Sequence, residues 1–439
     1  MTKSRVFIAF VAYLSIAWAG PAAATGPNSV QFTWMSIANW YFEFGDTKAI
    51  MDGYITRVPG PPFFVRSPQF PADMYATTTG PYGVDVDSVT RVWNALAPNG
   101  KVKFVFGGHS HFDHTWDVPL WSKLTNGIII GGISTCYQAI AQGVQSAKCK
   151  NVVGGEKIRL ADGVYVRIVR FNHSGNSTNP IQHNPKELAK PPVPDPVTGG
   201  FRAGVGEDYP NGGGGRALLF TIDNEQGQLS FFVNNSASDT DLNTPIVVDG
   251  VNYGAPLQNL RNAMADAGLT KVDLWIGTGG RAVAQLIVPV LNPKVYMPSH
   301  WDGLFNSFWA GMPFPYVDAQ LRTYLTSRNI TLVPQFQYMD KFQLDSTGVS
   351  VVPNHDVKQK LGFSDVQTFS SNLLDAASKV ASTSIGDDCG EGTSNPEWAN
   401  SPFASNMNAP AGYFGTQFSQ LTPWITGVER ARAGMSVVE

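Results

Sequence analysis

Short apolar runs separated by glycine, proline and asparagine dominate the chain from residue 30 onward. Residues 30–36, 39–44 and 48–51 carry the aromatic and β-branched content of strands, with Gly45-Asp46 as a turn signal between the second and third. Over 87–97, Val89, Val92, Trp93 and Leu96 recur at helical spacing, which predicts a helix with Asp87 as its N-cap. The run 102–106 reads as a buried strand, 128–130 as another, and 135–144 as a short helix. Residues 157–160 and 164–171 flank Ala161-Asp162-Gly163 as a hairpin, and 217–222 with 229–233 form a second strand pair. Helix 256–267, strand 272–276, helix 282–291 and strand 294–297 follow, with a further helix expected over 364–380. Strands alternating with helices predict a layered α/β fold.

Two stretches break this rhythm. Residues 58–82 are rich in proline, glycine and aromatics and form no regular element; they either overhang a pocket or pack as a surface loop. Residues 174–215 contain Pro191-Pro192-Val193-Pro194-Asp195-Pro196 and a glycine run. Long irregular loops are either functional or disordered. A third turn, Gly277-Thr278-Gly279-Gly280, lacks the spacing of a phosphate-binding loop and reads as a strand-to-helix turn.

The chain's ends modify the picture. Residues 1–24 have Lys3 and Arg5, an apolar stretch and Ala22-Ala23-Ala24, the pattern of an export signal. No later stretch is long and apolar enough to span a bilayer, so no stable membrane insertion is expected. The expected organisation is a signal peptide over 1–24, one large domain over 25–352 with 174–215 as an insertion, and a C-terminal extension over 353–439. Trp398, Phe403, Tyr413, Phe414, Phe418 and Trp424 make that extension too aromatic for a disordered tail. It is expected to pack on the domain or on a second subunit, as in a homo-oligomer. Of the cysteines, Cys136, Cys149 and Cys389, export permits one disulfide, and the sequence does not choose the pair. The formal net charge is −3, and loss of the two N-terminal cations takes it to −5, which disfavours nucleic acid as a partner.

The chemistry concentrates in Gly107-Gly108-His109-Ser110-His111-Phe112-Asp113-His114, directly after strand 102–106. Three of the chain's 7 histidines and one carboxylate fall within six residues. Neutral imidazole and carboxylate are ligands for zinc and similar divalent ions, and clustered groups of this kind mark metal or catalytic sites. In an extended loop His109, His111 and Asp113 would point one way and His114 the other, whereas a turn would divide the four between two ions.

This His-x-His-x-Asp-His motif resembles the signature of the metallo-β-lactamase-fold hydrolases. The resemblance covers roughly residues 30–350, and the order of Met35-Ser36-Ile37-Ala38-Asn39, Asp52, the signature, His173, the 272–280 strand and turn, and His300 is similar to that family's sugar-lactonase-like and phospholipase-D-like branch. It implies a four-layer αββα sandwich with an irregular C-terminal extension and the site at one edge of the two sheets. It implies His109, His111 and His173 as ligands of a first ion and Asp113, His114 and His300 as ligands of a second. Asp52 would buttress the metal loop, and Asp113 would also orient the attacking water. Zinc is the default ion, with manganese and iron as alternatives. Where the family carries a bridging aspartate this chain has Asn235, with Asp239 further on, so one or two ions remain open at this point.

The implied activity is metal-assisted hydrolysis of an ester, lactone or amide bond in a small molecule, outside the cytoplasm in the periplasm or medium. Net negative charge and aromatic loops favour a neutral or apolar substrate. A phosphodiesterase acting on lipid or nucleotide would need a cation cluster, for which Arg57, Arg202, Arg216 and Arg281 are the candidates. A secreted metal-binding protein with reduced catalysis is the third reading. His183 and His355 have no assigned role.

Overall fold

The computed structural model describes residues 25–58, 81–96, 102–173, 187–202, 214–302, 304, 307–313, 315–367 and 437–438. The export signal expected over 1–24, His183 and most of the expected C-terminal extension lie outside them.

The first sheet begins with Ser29–Ser36 (β1), Asn39–Phe44 (β2) and Thr47–Met51 (β3), an antiparallel meander, as the turn signals predict. Val102–Phe106 (β4), Ile128–Gly131 (β5) and Cys149–Asn151 (β6) then add in parallel. The second sheet takes Lys157–Ala161 (β7), Val164–Phe171 (β8), Gly215–Asn224 (β9), Gly227–Val233 (β10), Leu274–Gly277 (β11), Val295–Pro298 (β12) and Thr331–Leu332 (β13). Asp340–Asp345 (β14) and Gly348–Val352 (β15) return to the first sheet beside β1, and Val437–Val438 (β16) pairs in parallel with β7. The sheet orders are β15-β14-β1-β2-β3-β4-β5-β6 and β13-β12-β11-β10-β9-β8-β7-β16.

Both sheets are covered on both faces, which the period-two alternation of side chains makes visible. In β9, Leu218, Phe220 and Ile222 join the large core that includes the first sheet, while Ala217 and Leu219 join the helical side. Between the sheets, Phe220 stacks on Phe231 at 4.5 Å and meets Phe42 in a tilted contact at 5.6 Å. The outer side of the second sheet is covered by Pro256–Asp266 (α1), Arg281–Leu291 (α2) and Ala319–Ser327 (α3), whose Leu257, Leu260, Ile287 and Leu321 are buried with Trp275 and Tyr296. On the first sheet, helices Val86–Leu96, Val118–Thr125 and Ile133–Ala141 contribute Val89, Val92, Trp121 and Ala139 to the other core. The result is the four-layer αββα arrangement.

Several boundaries differ from the sequence reading. The helix expected from Asp87 starts one residue earlier because Asp85 is its cap, its Oδ1 accepting from Ser88 N at 2.9 Å. The short helix expected over 135–144 runs Ile133–Ala141, opened by Gly132. Past Val352 the chain forms His355–Leu361, which the sequence reading did not contain. It is tied down by Lys358 Nζ, 2.5 Å from Asp340 Oδ1, and by burial of Leu361 and Phe363 in the large core. The described start of the helix expected over 364–380, residues 364–367, is not helical, and the remainder lies outside the described residues. Cys136 is bonded to Cys149, joining that short helix to β6; Cys389 lies outside the described residues.

Candidate metal centre

The ligand loop leaves β4 at Phe106. Gly107 N continues the sheet to Ile130 O at 2.9 Å, and Gly108 O accepts from Arg216 N of β9 at 2.7 Å. The loop is therefore held by backbone bonds to both sheets. At Phe112 it turns into a single helical turn, Phe112–Thr115, in which Thr115 N bonds back to His111 O at 3.0 Å. That turn decides how the motif is divided. His109 and His111 stay on one side, and Asp113 and His114 swing together to the other.

His173 lies two residues past the end of β8, and His300 two past the end of β12. Each completes a triad. The ligand atoms of His109, His111 and His173 lie within 4.8 Å of one another, as do those of Asp113, His114 and His300. All six residues are buried. His109 Nε2 is 3.1 Å from His173 Nε2, and His300 Nε2 is 3.1 Å from His114 Nε2 and 2.9 Å from Asp113 Oδ2.

His300 adopts a left-handed φ of 60°, a strained conformation for a residue with a side chain. Its surroundings fix it there. His300 N donates to Ile37 O at 2.9 Å, Ile37 N donates to Asp302 Oδ1 at 2.9 Å, and Tyr338 hydroxyl donates to Asp302 Oδ2 at 2.7 Å. The 35–39 stretch thus acts as a cradle for the last histidine. Asn39 extends it, its Oδ1 accepting from Gly53 N and Tyr54 N at 2.9 and 3.0 Å.

Asp52 buttresses the loop from behind, as the resemblance implies. Its Oδ1 accepts from Gly108 N at 2.8 Å, and its Oδ2 lies 2.8 Å from His114 Nδ1. Asn235 is buried beside the two triads. Its amide lies behind the histidines, 2.7 Å from Asp52 Oδ2 and 3.3 Å from His109 Nδ1. Asp113, His114 and His300 come together as a triad that does not draw on Asn235. Asp239, the other candidate, is exposed.

The electrostatics follow from burial and proximity. Burial holds His109 well below the usual imidazole value and His111 at about 4, so both are neutral and carry a lone pair. Burial alone would raise Asp113, but His114 and His300 hold it well below the usual carboxylate range. His114 is pushed the other way: burial lowers it, yet Asp113 and Asp52 together raise it to about 10.

The donor set fits a divalent ion. Both ring nitrogens of His111 are buried and make no hydrogen bond among the described residues, a cost of about 1–3 kcal/mol for a polar group left unpaired. Two nitrogens on a tetrahedral ion at ~2.0–2.1 Å sit ~3.3 Å apart. The Nε2 pairs at 3.1 Å have nearly that spacing.

Sequence reasoning missed the outer contacts. Glu187, from the 174–215 insertion, accepts from Ser134 N at 2.9 Å and pairs with buried Arg216 and Arg170. The insertion is thus anchored at the ligand loop's flank. Asp117, three residues past His114, is wholly buried and accepts from Ile55 N and Thr56 N at 2.6 and 2.7 Å. Its position beside the motif was the available signal.

No protein-family model matches the chain, and no curated protein matches it in sequence. Among solved structures it is similar to Igni18, a metallo hydrolase from Ignicoccus hospitalis (13% identity over 72% of this chain and 98% of that one, TM-score 0.40). It is also similar to the isothiocyanate hydrolase from Delia radicum gut bacteria (12%, 71% and 98%, 0.38). A third is the metallo-β-lactamase fold protein YhfI from Bacillus subtilis (10%, 72% and 100%, 0.36). Two helix-covered mixed sheets, with a His-x-His-x-Asp-His loop at the end of an interior strand, are consistent with the metallo-β-lactamase fold.

Proposed function

We propose that this protein is an exported metal-dependent hydrolase of an ester, lactone or amide bond in a small molecule. The carrying observation is the pair of buried triads, drawn from three distant parts of the chain, that lie together at one sheet edge. His109, His111 and His173 would hold one divalent ion, and Asp113, His114 and His300 a second. Zinc is the ion these donors suit by default, with manganese and iron as alternatives. When bound, such an ion polarises the scissile carbonyl and lowers the pKa of a coordinated water from ~15.7 towards ~7.

The chain's own residues do the remaining work. Asp113 is ionised, so its carboxylate can accept a hydrogen bond from the attacking water and orient it. Asp52 accepts a hydrogen bond from His114 Nδ1–H, which leaves Nε2 as the nitrogen that would face an ion. The Ile37 and Asp302 cradle fixes His300 before any ligand arrives. Burial of the whole set keeps bulk water from the histidines.

The reading as a carboxylic rather than a phosphoric substrate is supported by the cations available. Arg216 is turned inward and paired with Glu187, and Arg57 donates to Ser36 Oγ at 2.8 Å. Arg281 is exposed on α2. The cation cluster that a phosphodiester requires is not assembled among the described residues. Export is supported by the pattern of residues 1–24 and by the Cys136–Cys149 disulfide, a bond that persists in oxidising compartments. No helix among the described residues is long and apolar enough to cross a membrane. The narrower likeness to the sugar-lactonase-like and phospholipase-D-like branch rests on motif order alone.

The test is elemental analysis of purified protein beside a panel of carboxylic esters, lactones, amides and phosphodiesters, with and without chelator. Chelator-sensitive turnover of a carboxylic substrate is the expected result. Turnover confined to phosphodiesters would move the assignment to a phosphodiesterase, and metal binding without turnover to a metal-binding protein.

A further inference from the structure

Asn235 follows β10 by two residues and sits behind both ligand triads at once. Its Oδ1 is 3.3 Å from His109 Nδ1, and its Nδ2 is 2.7 Å from Asp52 Oδ2. The same carboxylate oxygen is 2.8 Å from His114 Nδ1. His109 belongs to the first triad and His114 to the second. A single chain of contacts, His109, Asn235, Asp52, His114, therefore links the two.

The orientation of the amide is dictated by its neighbours. A flipped amide would put its oxygen 2.7 Å from a carboxylate oxygen, two acceptors face to face. With Nδ2 towards Asp52, Oδ1 faces His109, and an amide oxygen only accepts. His109 Nδ1 must therefore carry the proton. On the other side, His114 Nδ1 and Asn235 Nδ2 both donate to Asp52 Oδ2, which leaves these two donors 3.2 Å apart. Both histidines thereby carry a proton on Nδ1, with Nε2 facing the other ligands.

Packing points to the same residue independently. A Cβ at Gly108 would lie 2.0 Å from Asn235 Nδ2 and 2.4 Å from its Cγ. The amide occupies the space that a side chain in the ligand loop would take. Gly108 is thus the condition under which residue 235 can reach the backs of both histidines.

We propose that Asn235 is a positioning residue that sets the His109 tautomer and, through Asp52, ties the orientation of the first triad to that of the second. This rests on the reading of the triads as ion sites. It also reverses what the resemblance implies for an aspartate at this position. A carboxylate at 235 would lie 2.7 Å from that of Asp52 in a pocket without solvent. It would have to take up a proton or leave the pocket. An amide gives the hydrogen bonds without the second charge.

The experiment uses the full chain, stripped of metal by chelator and titrated with zinc. Stepwise affinities are measured for the wild type, Asn235→Leu and Asn235→Asp, with circular dichroism to confirm folding. Nitrogen-15 spectra of labelled histidine report the His109 tautomer in the metal-free protein. The expected results are a defined Nδ1–H form in the wild type and its loss in Asn235→Leu. Both zinc steps should weaken about 10–100-fold in Asn235→Leu, the range seen when such supporting contacts to ligands are removed. Asn235→Asp should also bind zinc more weakly at pH 7. Tighter binding of the second ion by Asn235→Asp would overturn the inference, as would unchanged tautomer and affinities in Asn235→Leu. A wild type that binds no zinc would instead defeat the functional reading, while the metal-free tautomer spectra would still decide the role of Asn235.

Discussion

Substitution of Asp52 by asparagine is the sharpest test of how the loop is held. Asp52 is wholly buried and has a φ of 60°, which asparagine tolerates about as well as aspartate, so the backbone is not the variable. Three donors point at its carboxylate: Gly108 N at 2.8 Å, His114 Nδ1 at 2.8 Å and Asn235 Nδ2 at 2.7 Å. An amide has one acceptor oxygen. Whichever way it turns, its NH2 faces at least one of these donors, and the bonds that survive lose their charge. Hydrogen bonds to charged groups contribute about 1.5–3 kcal/mol each. One bond lost and the others weakened put the cost at about 3–5 kcal/mol, a large fraction of the ~5–15 kcal/mol that holds a typical domain together. Urea unfolding of chelator-treated wild type and variant, followed by tryptophan fluorescence, measures it. Zinc titration of the same samples should show about 10–100-fold weaker binding, because the charged partner of His114 Nδ1 is gone. A variant that unfolds within about 0.5 kcal/mol of wild type and binds zinc unchanged would refute the reasoning.

Two further outcomes follow from the described contacts. The Cys136–Cys149 bond spans a sequence separation of 13, and closing a loop of that length is worth about 3 kcal/mol. A double serine variant should lose about that much in urea unfolding, and no change with added reductant in the wild type would show that the bond contributes nothing. Asp117 offers a pH test, since burial raises its carboxyl from the unperturbed 3.8 to about 6 against the hydrogen bonds from residues 55 and 56. A raised folded value means that the protonated form is favoured, so stability falls as pH rises from about 4 to about 6. The full cost, about 3 kcal/mol, is present above that window. Asp117→Asn removes the titration, and its unfolding free energy relative to wild type should improve by about that amount between pH 4 and pH 7. A difference that stays flat across this range would contradict the burial argument.

The sequence by itself determined the ligand loop, because three imidazoles and a carboxylate within six residues leave few other roles. It also determined the strands that carry the loop, since 102–106 and 164–171 are short runs rich in aromatic and β-branched residues. It located His173 and His300 just past strand ends, although only the resemblance singled them out. Only the tertiary structure decided how the motif is shared, because that depends on the single helical turn at Phe112–Thr115, too short for periodicity to reveal. The same holds for Asn235, 183 residues from Asp52 in the chain, whose role depends on which face of its amide meets a carboxylate from the other sheet. Glu187 and the Ile37 cradle were equally hidden. Hydrophobic pattern reports which face of an element is buried; it carries no information about which polar atoms meet across the sheets, and those meetings orient the histidines.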